Sequence, residues 1–146
     1  NKVGTFGRDA AKLMEEAYAS DYQLLNFPAG ICSRKIKGKI TDLKWQKSFI
    51  VKAVQYQRDI VPCYFAGRNS QFFYNLANLR QFLGIKMNIE MLYLSDEMYK
   101  QKGKDIDVYF GKPIPWQTFD KSKSPREWTE MVRNETYNLP KTFNAG

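Results

Sequence analysis

The chain of 146 residues is 43% apolar and 15% aromatic, which suffices for the core of one domain, or half of a larger one, and argues against disorder. Its formal net charge of +8 favours an anionic partner: nucleic acid, an anionic membrane surface, or a carrier such as coenzyme A. It contains no histidine, so it offers no imidazole base, and its cysteines, Cys32 and Cys63, lack the spacing of a zinc site. Because it opens at Asn1 and has no long apolar span, we expect a mature soluble domain or a fragment.

The first part of the chain predicts a helix, a strand, a basic loop and a second helix, over residues 8–19, 22–27, 29–41 and 43–57. The helices are predicted because apolar residues recur every three or four positions. Residues 22–27 form a short apolar run that Pro28 stops, as at the end of a strand.

The second part predicts strands over residues 60–66 and 106–110 and helices over 69–83 and 95–102, while residues 89–94 fit a helix or a strand. Pro62 would weaken a central strand, so we expect a strand end or a bulge there. The last helix is predicted to begin at Ser124-Pro125, a capping box with proline at the first helical position. We expect a frayed tail over residues 140–146.

The alternation of helices and strands predicts an α/β fold: one domain over residues 1–146, with a mostly parallel sheet flanked by helices on both faces. A sheet cut at one edge would expose backbone hydrogen-bonding groups, so a dimer through that edge is a further expectation. Open sheets of this kind bind ligands at the carboxyl ends of neighbouring strands.

Two segments that follow predicted strands carry an arginine each, and as adjacent strand-to-helix turns they predict an anion site. They are Phe27-Pro28-Ala29-Gly30-Ile31-Cys32-Ser33-Arg34-Lys35 and Ile60-Val61-Pro62-Cys63-Tyr64-Phe65 running into Gly67-Arg68-Asn69-Ser70. Neither serine nor Cys32 has a histidine partner, so nucleophilic catalysis by these side chains is not expected.

These segments resemble blocks of the glycerolipid acyltransferase superfamily, the enzymes related to 1-acylglycerol-3-phosphate acyltransferase. Phe27-Pro28-x-Gly30 is similar to its Phe-Pro-Glu-Gly block, Val61-Pro62 to its Val-Pro block, and Phe110-Gly111-Lys112-Pro113-Ile114 to its closing Gly-Lys-Pro-Ile signature. Asp42-x-x-Trp45 and Ser48-Phe49-x-x-x-Ala53 are similar to the hemolysin-like branch, which is related to the ornithine-lipid and aminolipid O-acyltransferases. The resemblance covers residues 5–135 and implies the C-terminal portion of an acyltransferase domain.

The resemblance implies transfer of a fatty acyl group from a thioester, acyl-CoA or acyl carrier protein, to a lipid hydroxyl, with no bound cofactor. The family's catalytic His-x-x-x-x-Asp motif would lie upstream of the Phe-Pro block. This chain has no such motif, so we expect the isolated chain to be inert and to depend on an N-terminal catalytic segment. The resemblance also implies a cytoplasmic location, peripheral to the inner face of the membrane.

Two positions depart from the family pattern. Ala29 stands where the family usually has glutamate, and Cys32 stands where it usually has a phosphate-binding arginine. Arg34, two residues later, could take over as a bidentate clamp. A carboxylate head group, such as that of an N-acylated amino acid, therefore fits at least as well as a phosphate.

The substrate-binding residues predicted in this way are Gly30, Ser33, Arg34, Lys35 and Arg68. Phe27, Pro28 and Pro62 are expected to shape the backbone or line an acyl channel. The plainer alternatives are solvated loop charges for the arginines and an ordinary turn for Gly30. The basic cluster could face anionic lipid, hold the phosphates of a thioester carrier, or be solvated; its members are Arg34, Lys35, Lys37, Lys39, Lys44 and Lys47.

Two other functional classes stay open. A non-catalytic lipid-binding module of the same fold would keep the clamp without the chemistry. A basic nucleic-acid-binding domain is disfavoured, and nucleic acid is not expected as a partner, because the sequence has no RNP-like strand, helix-turn-helix or zinc motif. The aromatic-rich helix over residues 69–83 is expected to pack in the core, with an acyl-channel wall or interfacial helix as the alternative.

Overall fold

The structure is a computed structural model that describes residues 2–143. Its α-helices are α1 (Lys2–Ala19), α2 (Ser48–Gln55), α3 (Gln71–Phe82), α4 (Leu94–Tyr99) and α5 (Pro125–Phe143). Its strands are β1 (Arg34–Ile36), β2 (Lys39–Thr41), β3 (Cys63–Phe65) and β4 (Val108–Phe110). Short 3-10 helices lie at Ile89–Tyr93 and Trp116–Thr118. None of the described helices is long and apolar enough to cross a bilayer.

The described strands form two separate two-stranded antiparallel sheets, β1–β2 and β3–β4, and not the mostly parallel sheet that we expected. Two helical passes, α3 and then α4, separate β3 from β4. After one pass away from β3 and one pass back, the chain is again at the end of β3 from which it started. There Ala66 N, just after β3, donates to the carbonyl of Asp107, just before β4, at 3.0 Å. β4 therefore runs back against β3. The mixture of helices and strands, by contrast, is as predicted.

The basic loop predicted over residues 29–41 contains the β1–β2 hairpin. Its turn is Lys37-Gly38, and both residues have positive φ, 49° and 81°, as a two-residue type I′ turn requires. The sequence hid this hairpin because glycine at the second turn position was the only conventional signal, and lysine is an unusual partner for it.

The strand predicted over residues 22–27 is not found: this segment is irregular and exposed. The Arg58 guanidinium holds its start, donating to the carbonyls of Tyr18, Ser20 and Tyr22. Of these acceptors the Tyr22 carbonyl belongs to the segment itself and is therefore not free for a sheet, and no described strand pairs with the segment. An apolar run alone does not make a strand without a neighbour to pair with.

The predicted helices are confirmed with shifted bounds. α2 begins at Ser48, later than expected, because Trp45 Nε1 donates to Asp42 Oδ2 at 3.1 Å and Gln46 N donates to the Pro28 carbonyl at 2.9 Å, which holds residues 43–47 outside the helix. The ambiguous segment is the 3-10 helix Ile89–Tyr93. α5 begins at Pro125, as the capping box predicts, and extends to Phe143, so the tail predicted from residue 140 begins inside this helix. Residues 144–146 of that predicted tail lie outside the described residues.

The apolar core joins α2, α5 and the segment after β4. Its buried members are Phe49, Ile50, Ile114, Phe119, Trp128 and Val132. α3 buries Phe73, Tyr74 and Ala77 on one face, together with Arg80. The long helix α5 also packs on the β3–β4 sheet, where the Tyr64 ring contacts that of Tyr137 at a centroid distance of 5.9 Å.

Candidate functional site

The two segments that carry the predicted site residues converge on α3. β1 lies along this helix: Lys35 Nζ donates to Gln71 Oε1 at 2.8 Å, and Asn78 Nδ2 donates to the Lys35 carbonyl at 3.2 Å. The other segment leads directly into the helix, and Asn69 N donates to the Tyr74 hydroxyl at 3.1 Å. The sequence therefore predicts their proximity correctly, although the first segment leads into a hairpin and not a helix.

The Tyr74 hydroxyl is buried where the second segment enters α3, and it accepts the hydrogen bond from Asn69 N. Burial raises the pKa of Tyr74, while the backbone hydrogen bond from Asn69 and the positive charge of Arg68 oppose that rise.

Arg34 is buried, with 2% of its side chain exposed, whereas a clamp on a ligand was expected to face an open site. Its Nη2 donates to Glu90 Oε1 at 2.7 Å, and its Nη1 donates to the Cys32 carbonyl at 2.9 Å. The guanidinium also lies 5.9 Å from the centroid of the Phe73 ring. In this structure Arg34 therefore fixes the base of the hairpin against α3.

Glu90 is completely buried and joins two arginines. Its Oε2 lies 2.9 Å from Arg80 Nε, and Arg80 Nη1 donates to the Ile85 carbonyl at 2.7 Å just beyond α3. We call Arg34, Glu90 and Arg80 the buried charge cluster. With two cations and one carboxylate it carries a surplus positive charge, and the Arg34 Nε has no hydrogen-bond partner.

Glu90 was missed by the sequence reasoning, although one signal was available. Between Asp59 and Asp96 it is the only acidic residue. A single carboxylate in a basic and apolar stretch has a strong reason to be paired internally, because an unpaired buried charge is very unfavourable. Arg34, however, lies 56 residues before it, and nothing in the sequence shows that Arg34 and Arg80 would be its partners.

A second set of contacts ties the hairpin to α5. Ser33 Oγ donates to Asp42 Oδ1 at 2.6 Å, and the Asp42 backbone N donates to the Tyr137 hydroxyl at 3.0 Å. Arg133 Nη2 donates to Thr41 Oγ1 at 3.0 Å, and its guanidinium lies over the Tyr137 ring at 4.9 Å. Ser33, predicted to bind substrate, is thus engaged at the foot of the hairpin.

The Phe27-Pro28-Ala29-Gly30 block forms a tight turn. Gly30 N donates to the Phe27 carbonyl at 2.9 Å, and Gly30 has a φ of 73°, which glycine adopts without strain. The Phe27 side chain is exposed and Pro28 is half-buried. Open space surrounds the position that a side chain would occupy on Gly30, so its backbone is accessible to a ligand. Pro62 is buried, and its carbonyl accepts from Gly111 N at 2.8 Å.

The N-terminus of α3, where an anion was expected, holds an internal carboxylate. Ser70 caps the helix by accepting from Phe73 N at 3.3 Å, and Glu97 accepts from both the hydroxyl and the backbone N of Ser70. Burial would raise the pKa of Glu97, but these hydrogen bonds and one from Lys100 outweigh it, and the pKa lies below its ordinary value. Arg68 lies exposed beside this site.

Exposed cations remain at the rim of the site. Lys37 and Lys39 lie exposed at the hairpin tip, Lys35 is half-buried, and Arg68 is exposed. Within the described range, no group of three or more cysteine, aspartate and glutamate side chains is placed to hold a metal. A separate cleft of about 820 Å³ lies among the C-terminal ends of α1 and α2 and residues 115–117, and none of the predicted site residues lines it. The arrangement at α3 leaves these cations at the surface, and the chain supplies no imidazole to it.

Comparison with known proteins identifies the family of the chain. A family model described as "Acyltransferase" matches residues 1–146, so the chain belongs to this acyltransferase family, as the motif resemblance predicts. No solved structure matches the chain.

Two curated relatives are similar over most of the chain. Both are named lyso-glycine lipid O-acyltransferase. The relative from Bacteroides thetaiotaomicron is 56% identical over 139 residues, which are 95% of this chain and 51% of the relative. The relative from Phocaeicola vulgatus is 52% identical over 139 residues, which are 95% of this chain and 50% of the relative. The chain thus spans about half the length of these relatives.

Proposed function

We propose that this chain is part of an enzyme that transfers a fatty acyl group from a thioester donor to the hydroxyl of a lyso-lipid whose head group ends in a carboxylate. The observation that carries the proposal is the identity of 56% and 52% with two relatives named lyso-glycine lipid O-acyltransferase. A carboxylate acceptor also agrees with Cys32 standing at the position of the family's phosphate-binding arginine. The donor is proposed to be acyl-CoA or acyl carrier protein.

The catalytic base is proposed to lie in a part of the polypeptide outside this chain. The chain contains no histidine, and the Glu97 carboxylate beside Arg68 is already engaged by the hydroxyl and backbone N of Ser70 and by Lys100. The family resemblance supplies the candidate, a His-x-x-x-x-Asp motif upstream. This chain is then the C-terminal portion of the acyltransferase domain and contributes binding and orientation.

Within the chain, we assign the direct contact with the carboxylate to Lys35 and Arg68. Both lie at the N-terminal end of α3, since Lys35 Nζ reaches Gln71 and Arg68 precedes that residue by one short turn. Gly30, Ser33 and Arg34 shape and hold the segment that carries Lys35. Phe27 and Pro28 are proposed to border the path of the acyl chain, because the Phe27 ring is exposed next to Gly30.

The test is thioester-dependent acylation by the complete reading frame, with a lyso-glycine lipid and lysophosphatidic acid as competing acceptors. We expect transfer to the glycine lipid to dominate. Lys35→Gln and Arg68→Gln should each raise the KM for the acceptor about tenfold or more with little change in kcat, because each removes a charge-assisted hydrogen bond to a group remote from the reaction. Lys121→Gln, an exposed lysine outside the site, is the matched control.

Two results would contradict the proposal. Preference for lysophosphatidic acid would refute the carboxylate acceptor. Binding of either lipid without any transfer by the complete reading frame would replace the enzyme with a lipid-binding module of the same fold.

A further inference from the structure

The surface around α3 and the hairpin has an unusual charge composition. Residues 22–41 and 60–89 contain no aspartate or glutamate, although the chain as a whole has 15 acidic residues. The same two stretches contribute the exposed cations Lys37, Lys39, Arg68 and Lys86. Among the described residues, no carboxylate forms an ion pair with Lys37, Lys39 or Lys86. This face therefore presents positive charge without internal neutralisation.

The outer face of α3 is apolar. Phe72, Leu79 and Leu83 follow a spacing of seven and four residues, which places them in one row along the helix. Their exposed fractions run from 50% for Phe72 to 59% for Leu83, and the neighbouring Phe82 is 86% exposed. We call these four residues the α3 row. They lie opposite the buried Phe73, Tyr74 and Ala77, so core packing explains one face of the helix. Phe72 has an edge contact with the Tyr93 ring at a centroid distance of 5.1 Å, but it stays half exposed, as do Leu79 and Leu83.

The cations lie on segments that contact α3 or directly follow it. β1 runs along the flank of α3 through the contacts of Lys35 with Gln71 and Asn78, and it leads directly to Lys37 and Lys39 at the hairpin tip. Lys86 follows the C-terminal end of the helix. Ile36, half exposed, adds an apolar side chain at the tip itself. Apolar residues flanked by lysines, without carboxylates, match the two terms by which a protein surface binds an anionic bilayer: apolar burial and attraction to charged head groups.

We propose that the α3 row and the β1–β2 hairpin tip form one docking surface for an anionic lipid bilayer. The positive charge favours a bilayer over a protein segment as the partner. A protein segment could cover the apolar row without any cations beside it, whereas an anionic bilayer would bind both the apolar row and the cations. The buried charge cluster fixes the hairpin against α3, so that the lysines and the apolar row meet the membrane together. The inference rests on the proposed function only in taking the acceptor to be a membrane lipid.

The test is binding of the complete reading frame to vesicles of phosphatidylcholine alone and of phosphatidylcholine with phosphatidylglycerol, with no acyl donor present. Lys37→Asn/Lys39→Asn is expected to weaken binding to the anionic vesicles about 25-fold, at about fivefold for each lysine, and to leave binding to neutral vesicles unchanged. Lys121→Asn/Lys141→Asn removes the same charge from exposed positions on another face and should have little effect.

The apolar part is tested by Leu79→Ser/Phe82→Ser. Binding to both kinds of vesicle should weaken about tenfold or more, while the melting temperature stays close to that of the unmodified protein because both side chains are exposed. A Leu79→Cys variant labelled with a polarity-sensitive dye should report water without vesicles and an apolar environment with them.

Three results would refute the proposed docking surface. They are equal loss of binding in the two double lysine-to-asparagine variants, unchanged vesicle binding by Leu79→Ser/Phe82→Ser, or a dye on Leu79→Cys that already reports an apolar environment without vesicles. The last result would mean that a protein segment or a second copy covers the row. Acyl transfer measured in detergent micelles separates this inference from the proposed function. Transfer in micelles without vesicle binding refutes the surface alone, and vesicle binding without transfer refutes the enzyme alone.

Discussion

Replacing Glu90 by glutamine tests the role of the buried charge cluster. The change keeps the size of the side chain and one acceptor oxygen but removes the only negative charge between Arg34 and Arg80. Two guanidiniums that are 2% and 9% exposed would then share the site without a counter-charge. The new amide NH₂ would also point a donor at groups that can only donate.

The expected loss is about 3–5 kcal/mol in the free energy of unfolding, the range for breaking a buried ion pair by removing one partner. This is a large part of the total for a typical domain, about 5–15 kcal/mol. For a chain of this size each kcal/mol lowers the melting temperature by about 2–4 °C, so we expect a decrease of about 6–20 °C. Amide hydrogen exchange should rise in β1, because Arg34 is its link to the cluster.

Urea unfolding of the complete reading frame measures the change. Asp96→Asn is the control, since it removes a carboxylate from the exposed pair with Lys100, 2.6 Å long, and should change stability by about 0–1 kcal/mol. The triple variant Arg34→Met/Glu90→Leu/Arg80→Met should recover much of the loss, because apolar residues of similar volume can replace a buried ion network. A Glu90→Gln variant within about 1 kcal/mol of the unmodified protein would refute the reasoning.

Two further predictions concern the capped helices. Because the folded pKa of Glu97 lies below its ordinary value of 4.5, its ionised form contributes stability above that pH, and the contribution is lost as the pH falls through the folded pKa. The stability difference between the unmodified protein and Glu97→Gln should therefore be full near neutral pH and shrink below about pH 4.5; a difference independent of pH would exclude this linkage. Ser124→Ala removes the cap of α5, in which Ser124 Oγ accepts from Glu127 N at 3.3 Å, and should lower the free energy of unfolding by about 0.5–2 kcal/mol in urea titrations. Ser122→Ala nearby, whose hydroxyl caps no helix, should leave it nearly unchanged.

Local signals predicted most helices but not the strand pairing. The capping box at Ser124 correctly marks the start of α5, because a cap acts within three residues of chain. Pairing of β3 with β4 depends on how many helical passes separate them, and residues 89–94 were ambiguous at that point. The strand predicted over residues 22–27 was wrong for a related reason: its apolar pattern could not reveal that Arg58 would bind the Tyr22 carbonyl and that no described strand would pair with it.

The sequence predicted that the two segments would lie together, but not which charged groups they would meet. Both segments reach α3, and Lys35 and Arg68 lie at the rim there, while their contact with a substrate stays a prediction. The burial of Arg34 did not follow, because it requires Glu90, which lies 56 residues away, to be its partner. The anion at the α3 N-terminus was predicted, but its source is Glu97 of the same chain. The sequence thus indicated that a negative charge would lie at the α3 N-terminus, but it did not show which carboxylate would supply that charge.

Lys37 offers a test in which folding and binding should move in opposite directions. A lysine at a φ of 49° is less favourable than asparagine, which is common at this turn position, so Lys37→Asn should raise the melting temperature slightly. The same substitution removes a cation from the proposed bilayer surface and should weaken binding to anionic vesicles about fivefold. A misfolded variant would lose both properties, and a lysine without a role in binding would show only the gain in stability. Higher stability together with weaker binding is therefore the result expected if lysine is kept at this turn position for its charge.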